Sequence, residues 1–280
     1  MKKILITIII LLIYSCNNQN KKNDVSKYKL NGDVKSLTNT HYTAIEKFGE
    51  ISKGERKREF DSYSDFEYEF NKEGNLSELL GYKPDGTLSY KTKYIYNEEG
   101  VLIESKLYGK NWNTKSSYKF DVNGNKTERQ NYKLDGGNGI KYIYNYDNKG
   151  NRTEDSVYEI DGSIRKKETF KYDEKGNVIE KIRYKTDLSV EYRYVYIYDE
   201  NNNNVKTSKY KLDGSLDWSS ENEYDKYGNE IKDITKDIEG KVLWQYTFRY
   251  EYDKDNNWIS RVRRRNGSAR YMVVREIEYF

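Results

Sequence analysis

Apolar and polar positions alternate along most of this chain with the period of two that a β-strand imposes, in short runs cut by turn residues. The stretch from Tyr158 to Lys185, YEIDGSIRKKETFKYDEKGNVIEKIRYK, holds such runs, punctuated first by DG and then by YDxxGN. The same two turns recur to the end. The glycine or asparagine of the second turn stands at Gly74, Gly100, Gly124, Gly150, Gly176, Asn202, Gly228 and Asn256, at spacings of 24 to 28 residues and mostly 26. The first turn returns at Asp85-Gly86, Asp135-Gly136, Asp161-Gly162, Asp213-Gly214, Glu239-Gly240 and Asn266-Gly267, is degenerate at Asp187-Leu188 and blurred around Gly109. Self-similarity at a fixed period is the mark of a repeat architecture, and each unit encodes two turns and two strands.

The turn residues say how the strands connect. In YDEKGN, Asp173 is placed to bond backbone amides, and Gly176 supplies the positive φ that closes a three-residue hairpin loop. Asparagine replaces that glycine at 202 and 256 because it tolerates the conformation best among other residues. In KPDG, Pro84 presets φ and Gly86 closes the loop. Hairpins throughout predict an all-β, antiparallel meander of about eight two-stranded 26-residue repeats.

Loop length then predicts register. With a loop at Glu98-Glu99-Gly100, Tyr96 faces Leu102, Tyr94 faces Glu104 and Tyr90 faces Tyr108; likewise Tyr118 faces Glu128, Tyr144 faces Glu154, Phe170 faces Glu180 and Tyr196 faces Lys206. One face collects aromatics, joined by Tyr82, Tyr108, Tyr132, Tyr158, Tyr184 and Tyr210, while Lys93, Lys119, Lys141, Asp155, Lys171 and Lys181 mark a wet face. A large aromatic face does not stay open to water, so the expected form is a twisted or coiled, shell-like sheet with tyrosines inward.

The first residues belong to a different plan. MKKILITIIILLIYSC has a basic start, a short apolar run and a small residue before Cys16, which reads as a signal peptide over 1–15 ending in a lipobox-like IYSC. The apolar run is far short of the roughly 20 residues that cross a bilayer. Cys16, the only cysteine, is the expected lipidation site and membrane contact. Residues 16–27 read as a flexible tether, 28–60 as N-terminal capping strands, and 61–280 as the repeat domain. The expected location is the bacterial cell envelope, outer membrane ahead of inner.

Composition narrows the chemistry. Thirty tyrosines beside one proline and 34% charged residues suit many half-buried strands. Fifty basic against 46 acidic residues give a net charge of +4, too little to argue for nucleic acid.

At YxYDxxGN the chain resembles the YD repeats of RHS-type proteins, best in FKYDEKGNVIE, YIYDENNNNVK and NEYDKYGNEIK, over roughly residues 60 to 280. That resemblance implies strands spiralling into a shell. The period here is longer than the compact YD unit, and asparagine follows the glycine where that family favours arginine. The Asp-Gly half is similar to MORN-type or antitoxin-like hairpin repeats, and the plan as a whole resembles lipoproteins of Bacteroidetes-type bacteria.

Candidate chemistry is sparse. His41 is the only histidine, read as ordinary strand packing, and Cys16 is expected to be acylated, which nearly excludes Cys-His and Ser-His-Asp arrangements and any multi-histidine zinc site, so no enzyme, metal or cofactor is expected. Glu78, Glu104, Glu128, Glu154 and Glu180 form one column, whose equivalence argues for cross-strand pairing with lysine or tyrosine rather than for a catalytic pair. DVNGNKTE at Asp121 has the oxygen ligands of a calcium loop without its spacing, and turn formation accounts for it. RVRRRNGSAR clusters arginines as if to blunt a terminal edge strand. The terminal EIEYF has the aromatic end of an outer-membrane barrel strand, but charges at every second position would face lipid. Trp112, Trp218, Trp244 and Trp258 break the repeat and are the candidate binding residues for a glycan or protein ligand, Asp217 and Gln245 lying near them. The function expected is a non-enzymatic binding or scaffold module; the alternatives are an adhesive spacer and a carboxylate hydrolase.

Overall fold

The computed structural model describes residues 23–56, 65–110, 113–133 and 136–280. A four-residue helix, α1 (Asp24–Lys27), precedes nineteen strands: β1 (Val34–Lys47), β2 (Glu50–Arg56), β3 (Asp65–Phe70), β4 (Leu76–Tyr82), β5 (Leu88–Tyr96), β6 (Leu102–Gly109), β7 (Asn113–Phe120), β8 (Lys126–Lys133), β9 (Asn138–Tyr146), β10 (Arg152–Tyr158), β11 (Ile164–Tyr172), β12 (Val178–Tyr184), β13 (Val190–Tyr198), β14 (Asn204–Tyr210), β15 (Leu216–Tyr224), β16 (Glu230–Lys236), β17 (Val242–Tyr252), β18 (Trp258–Arg265) and β19 (Ser268–Tyr279). From β3 onward each pairs antiparallel with the next, and β1 closes the ring by pairing β19 on one edge and β2 and β3 in succession on the other. With β2 and β3 sharing one edge of β1, the ring is an 18-stranded barrel.

The expected all-β antiparallel meander is present, and in place of a twisted or coiled, shell-like sheet it forms a closed barrel. Closure also recasts residues 28–60, whose strands are barrel staves rather than caps, and the arginine-rich hairpin, whose strands are paired on both sides and present no edge. The physical cause lies beside the turns. The three-residue loops are those the sequence predicts, with Asp173 N–H donating to Asn177 O at 3.0 Å and Gly176 N–H to Asp173 O at 3.2 Å. One step into the ladder, however, stands a β-bulge: Tyr172 pairs Val178 while Lys171 pairs Glu180. Similar register shifts accompany nearly every hairpin. A bulge bends the strand and increases its twist, and repetition at both rims curls the sheet until its edges meet.

The extra residue also moves the register by one. Tyr94 pairs Ser105, Tyr90 pairs Gly109, Tyr118 pairs Arg129, Tyr144 pairs Asp155, Phe170 pairs Lys181 and Tyr196 pairs Thr207, whereas the predicted pair Tyr96–Leu102, before the bulge, stands. The glutamate column therefore lies on the outer face. There Glu78 bonds Lys91 and Lys93, Glu128 sits 3.0 Å from both Lys119 and Lys141, and Glu180 reaches Lys171 at 2.7 Å and Arg193 at 3.3 Å. The flanking lysines hold the Glu104 and Glu180 carboxyls below the usual range. Tyr82 and Tyr184 also point outward, Tyr82 Oη donating to Glu67 at 2.7 Å.

The YDxxGN signature now has a mechanism. Asp173 Oδ1 accepts from Asn177 N–H at 2.8 Å and Oδ2 from Asn177 Nδ2 at 2.9 Å, so the final asparagine braces the loop. The tyrosine hydroxyl points inward and donates to the carbonyl twenty residues back, at the previous hairpin's bulge: Tyr146 to Lys126 at 2.8 Å, Tyr172 to Arg152 at 2.7 Å, Tyr198 to Val178 at 2.9 Å. Val in place of Gly176, which sits at φ +84°, is expected to cost on the order of 1 to 3 kcal/mol. Lys171→Ala, removing an exposed partner of Glu180, should change stability by no more than about 0.5 kcal/mol. Equal losses for the two in urea denaturation would refute the assignment of faces.

The end of the expected tether is structured. Asn23 caps α1 through Ser26 N–H, Val25 N–H donates to Gly74 O at 3.0 Å, Lys29 Nζ to Gly228 O at 2.9 Å, and Asn31 N–H to Asn257 Oδ1 at 2.8 Å. Residues 23–33 thus line an arc of the mouth formed by the YDxxGN turns. Val25 and Leu30 pack there with Val34, Leu37, Phe70 and Leu76, flanked by Tyr28, Tyr68 and Ile277, in an apolar cluster on one side of the barrel.

Candidate functional site in the barrel lumen

Because cross-strand pairs share a face, the register assigns every stave its inward residues. Aromatic columns and cations face each other across neighbouring strands. On β13, Tyr192, Tyr194, Tyr196 and Tyr198 point inward, with Tyr194 edge-on to Tyr192 at 5.2 Å and stacked on Tyr196 at 6.1 Å. On β17 the column is Trp244, Tyr246, Phe248, Tyr250 and Tyr252. The intervening staves supply cations that lie over these rings, including Arg183 on Tyr192 at 5.8 Å and Arg263 on Tyr246 at 4.9 Å. The inward rings are half-buried, each keeping part of its surface accessible to solvent.

The tryptophans divide. Trp218 on β15 and Trp244 on β17 point inward near the rim of the DG turns, two staves apart or about 10 Å by strand spacing, with Thr235 between them. Trp218 meets Tyr194 edge-on at 6.0 Å. Trp258, at the YDxxGN end of β18, packs against Tyr250 at 5.8 Å and under the Arg275 guanidinium at 3.4 Å, so it does not join the other two. Trp112 and Cys16 lie outside the described residues. Asp217 stands at a bulge and pairs with Lys209 at 2.9 Å, while Gln245 faces outward.

Of the predicted arginine cluster, Arg261 and Arg263 turn inward and Arg264 turns outward to Glu46 at 2.6 Å. Sequence reasoning missed the lumen cations because it placed the inward column at even offsets from the turn residue. The bulge moves that column to offsets two, five and seven, where Lys126, Arg129, Arg152, Lys181, Arg183, Lys209, Arg261 and Arg263 stand. Asp121 spends its carboxylate on its own loop, accepting from Asn123 and Asn125 N–H at 2.9 and 2.8 Å.

One inward carboxyl titrates near neutrality. Burial, and then the nearby Asp233, push Glu230 from 4.5 up to about 7. Its folded value exceeds its unfolded one, so it carries no penalty below about pH 4.5 and its full penalty above about pH 7. After allowance for solvent access, the barrel should lose on the order of 1 kcal/mol as pH rises through that window. Glu230→Gln should remove that part of the slope in thermal melts at pH 4.5 and pH 7.5; an unchanged slope would place the titration elsewhere.

Fold and lining together define a class: a closed antiparallel barrel with an ion-paired outer face and an aromatic, cationic lumen. A bilayer-spanning barrel carries an apolar band outside, where this one carries lysines and glutamates. No helix among the described residues is long and apolar enough to cross a membrane. No family model and no curated protein matches the chain. Among solved structures, a porin-like protein from Bacteroides uniformis ATCC 8492 is 14% identical over 89% of this chain and 99% of that one, with a TM-score of 0.47. A porin-like protein from Bacteroides vulgatus ATCC 8482 is 10% identical over 88% and 98%, with a TM-score of 0.36. The Photorhabdus luminescens Tc holotoxin pore is 11% identical over 72% of this chain but 15% of that one, with a TM-score of 0.21. All three scores lie below one half, and no function is carried over from them.

Proposed function

We propose that this chain is a lipid-anchored barrel of the bacterial cell envelope that binds a glycan in its lumen and performs no chemistry on it. The observation that carries the reading is the half-buried aromatic wall of β13 and β15, where Tyr192, Tyr194, Tyr196 and Trp218 line the lumen as one contiguous set of rings. Sugar rings pack on such surfaces, and hydroxyls of Tyr, Ser and Thr between them supply hydrogen bonds. The lipobox-like IYSC that ends at Cys16 supports the anchoring part, with Cys16 as the residue to be acylated. That anchor would hold the YDxxGN mouth, where residue 23 lies, toward the membrane and leave the opposite mouth facing away.

The test is tryptophan fluorescence of the full-length protein titrated with envelope oligosaccharides, beside the double variant Trp218→Ala, Trp244→Ala. Saturable quenching is expected, with affinity falling about tenfold in the variant. In parallel, Cys16→Ser should move the protein from the membrane to the soluble fraction. Binding that survives the double change would remove the glycan site, and a variant that still sediments with membranes would remove the anchor.

A further inference from the structure

We infer that the lumen face of β8 to β10 holds a site for an acidic saccharide, in which Lys126, Arg129 and Arg152 receive a carboxylate or phosphate group. The inference rests on the glycan reading above and adds the charge of the ligand.

Many charged side chains along the strands of this barrel are answered by ion pairs. On the outer face the glutamate column bridges the lysines on either side. Inside, Lys166 and Lys181 each stand 3.0 Å from Glu168, which is buried between them. The cations of β8 have no such carboxylate among the described residues. Lys126 Nζ stands 5.3 Å above the ring of Tyr118 and 5.3 Å above that of Tyr144, and no carboxylate among the described residues is within ion-pair distance of it. Arg129 lies 5.1 Å over Tyr142 and donates Nε to neutral partners only, Asn131 Oδ1 at 3.0 Å and Ser116 Oγ at 3.3 Å. From the other side, Arg152 approaches Tyr144 to 5.3 Å and Phe170 to 5.8 Å. Its neighbour Asp155 stands 3.0 Å away.

The arrangement costs free energy without an anion. Half-buried like charges repel and have lost part of their hydration, and rings offset only some of that. Burial, followed by Arg129, Arg152 and Lys27 of α1, lowers the Lys126 ammonium below the usual lysine range. The three cations approach from two staves flanking the Tyr142, Tyr144 and Tyr146 column, so an anionic group between them would set its sugar ring against tyrosine. Two guanidiniums offer planar, paired donors to a carboxylate or phosphate, and the ammonium adds a point charge.

The experiment titrates the full-length protein by calorimetry with an oligogalacturonide, a phosphorylated oligosaccharide of similar length, a neutral maltooligosaccharide and inorganic pyrophosphate. The wild type should bind the acidic oligosaccharides at least about tenfold more tightly than the neutral one, and more weakly as salt rises. Lys126→Met and Arg129→Gln should each abolish that preference and leave neutral binding unchanged. Lys126→Met should also melt higher than the wild type without ligand, which reports that the variant is folded and relieved of repulsion. Equal binding of acidic and neutral sugars, or a preference that survives both variants, would overturn the charge assignment while leaving the glycan reading intact. Pyrophosphate binding that depends on Lys126, with no sugar bound at all, would sustain the anion site and overturn the glycan reading. Comparing the two acidic oligosaccharides tells carboxylate from phosphate.

Discussion

Replacing Leu37 with alanine is expected to destabilise the barrel by about 2 to 4 kcal/mol in equilibrium denaturation. Leu37 is 0% exposed on β1, beside Tyr68 of β3 and Ile277 of β19, so it belongs to both seams that close the ring. Truncation removes its transfer energy and leaves a cavity in the apolar cluster that also holds Val25, Leu30 and Phe70. Those neighbours are fixed by ladder hydrogen bonds and by the α1 contacts, which limits collapse into the hole. Ile197→Ala makes the control, since Ile197 is 52% exposed on the outer face of β13 and its loss should stay within about 0.5 kcal/mol. Equal losses at the two positions would deny that the β1 seam is the packed side.

Asn257→Leu should cost about 2 to 3 kcal/mol, although it keeps the branched shape of the side chain. Asn257 is 1% exposed. Its Oδ1 accepts from Asn31 N–H at 2.8 Å, and its Nδ2 donates to Asn31 O at 3.0 Å and to Tyr279 Oη at 2.8 Å. Leucine would strand a backbone donor and a backbone acceptor where water has little access, while Tyr279 Oη keeps its bond to Asp253 at 2.9 Å. The same change at Asn177, whose amide braces a solvent-facing loop, should cost about 1 kcal/mol or less. The clearest readout is limited proteolysis, in which residues 23–33 become cleavable in Asn257→Leu alone. If both variants resist cleavage equally, the N-terminal segment is held by its other contacts.

The turns were legible because their chemistry is local: an aspartate that captures amides, a residue at positive φ, and a spacing that repeats. Leu188, at φ +64°, fills a place where glycine is usual, and even that position was marked by the preceding aspartate. Register was not legible, because the bulge is a property of the curled sheet and leaves no mark in the loop. That single residue decides whether Glu180 or Lys181 faces the lumen. The error then propagates to function. A column taken as aromatic-facing glutamate became an outer ion-pair ladder, and the inward arginines were taken for edge protection. The β1–β19 pairing was hidden for another reason, since nothing in the alternation of either segment names its distant partner. Of the proposed site, Trp218 and Trp244 were found through their departure from the repeat, whereas Lys126, Arg129 and Arg152 look in sequence like any other surface cations.

Closure by the first and last strands also sets the order of events as the chain forms. Each hairpin can zip against its predecessor as it emerges, but Thr40 finds Val274 only when β19 is present. Until then β1 and the newest strand are bare edges, and edges recruit other chains. Pairings this remote in sequence form slowly. The growing meander therefore needs shielding throughout its assembly, and the final hairpin, with Arg261 and Arg263 on its inner face and Val274 at the seam, acts as the clasp that ends that exposure.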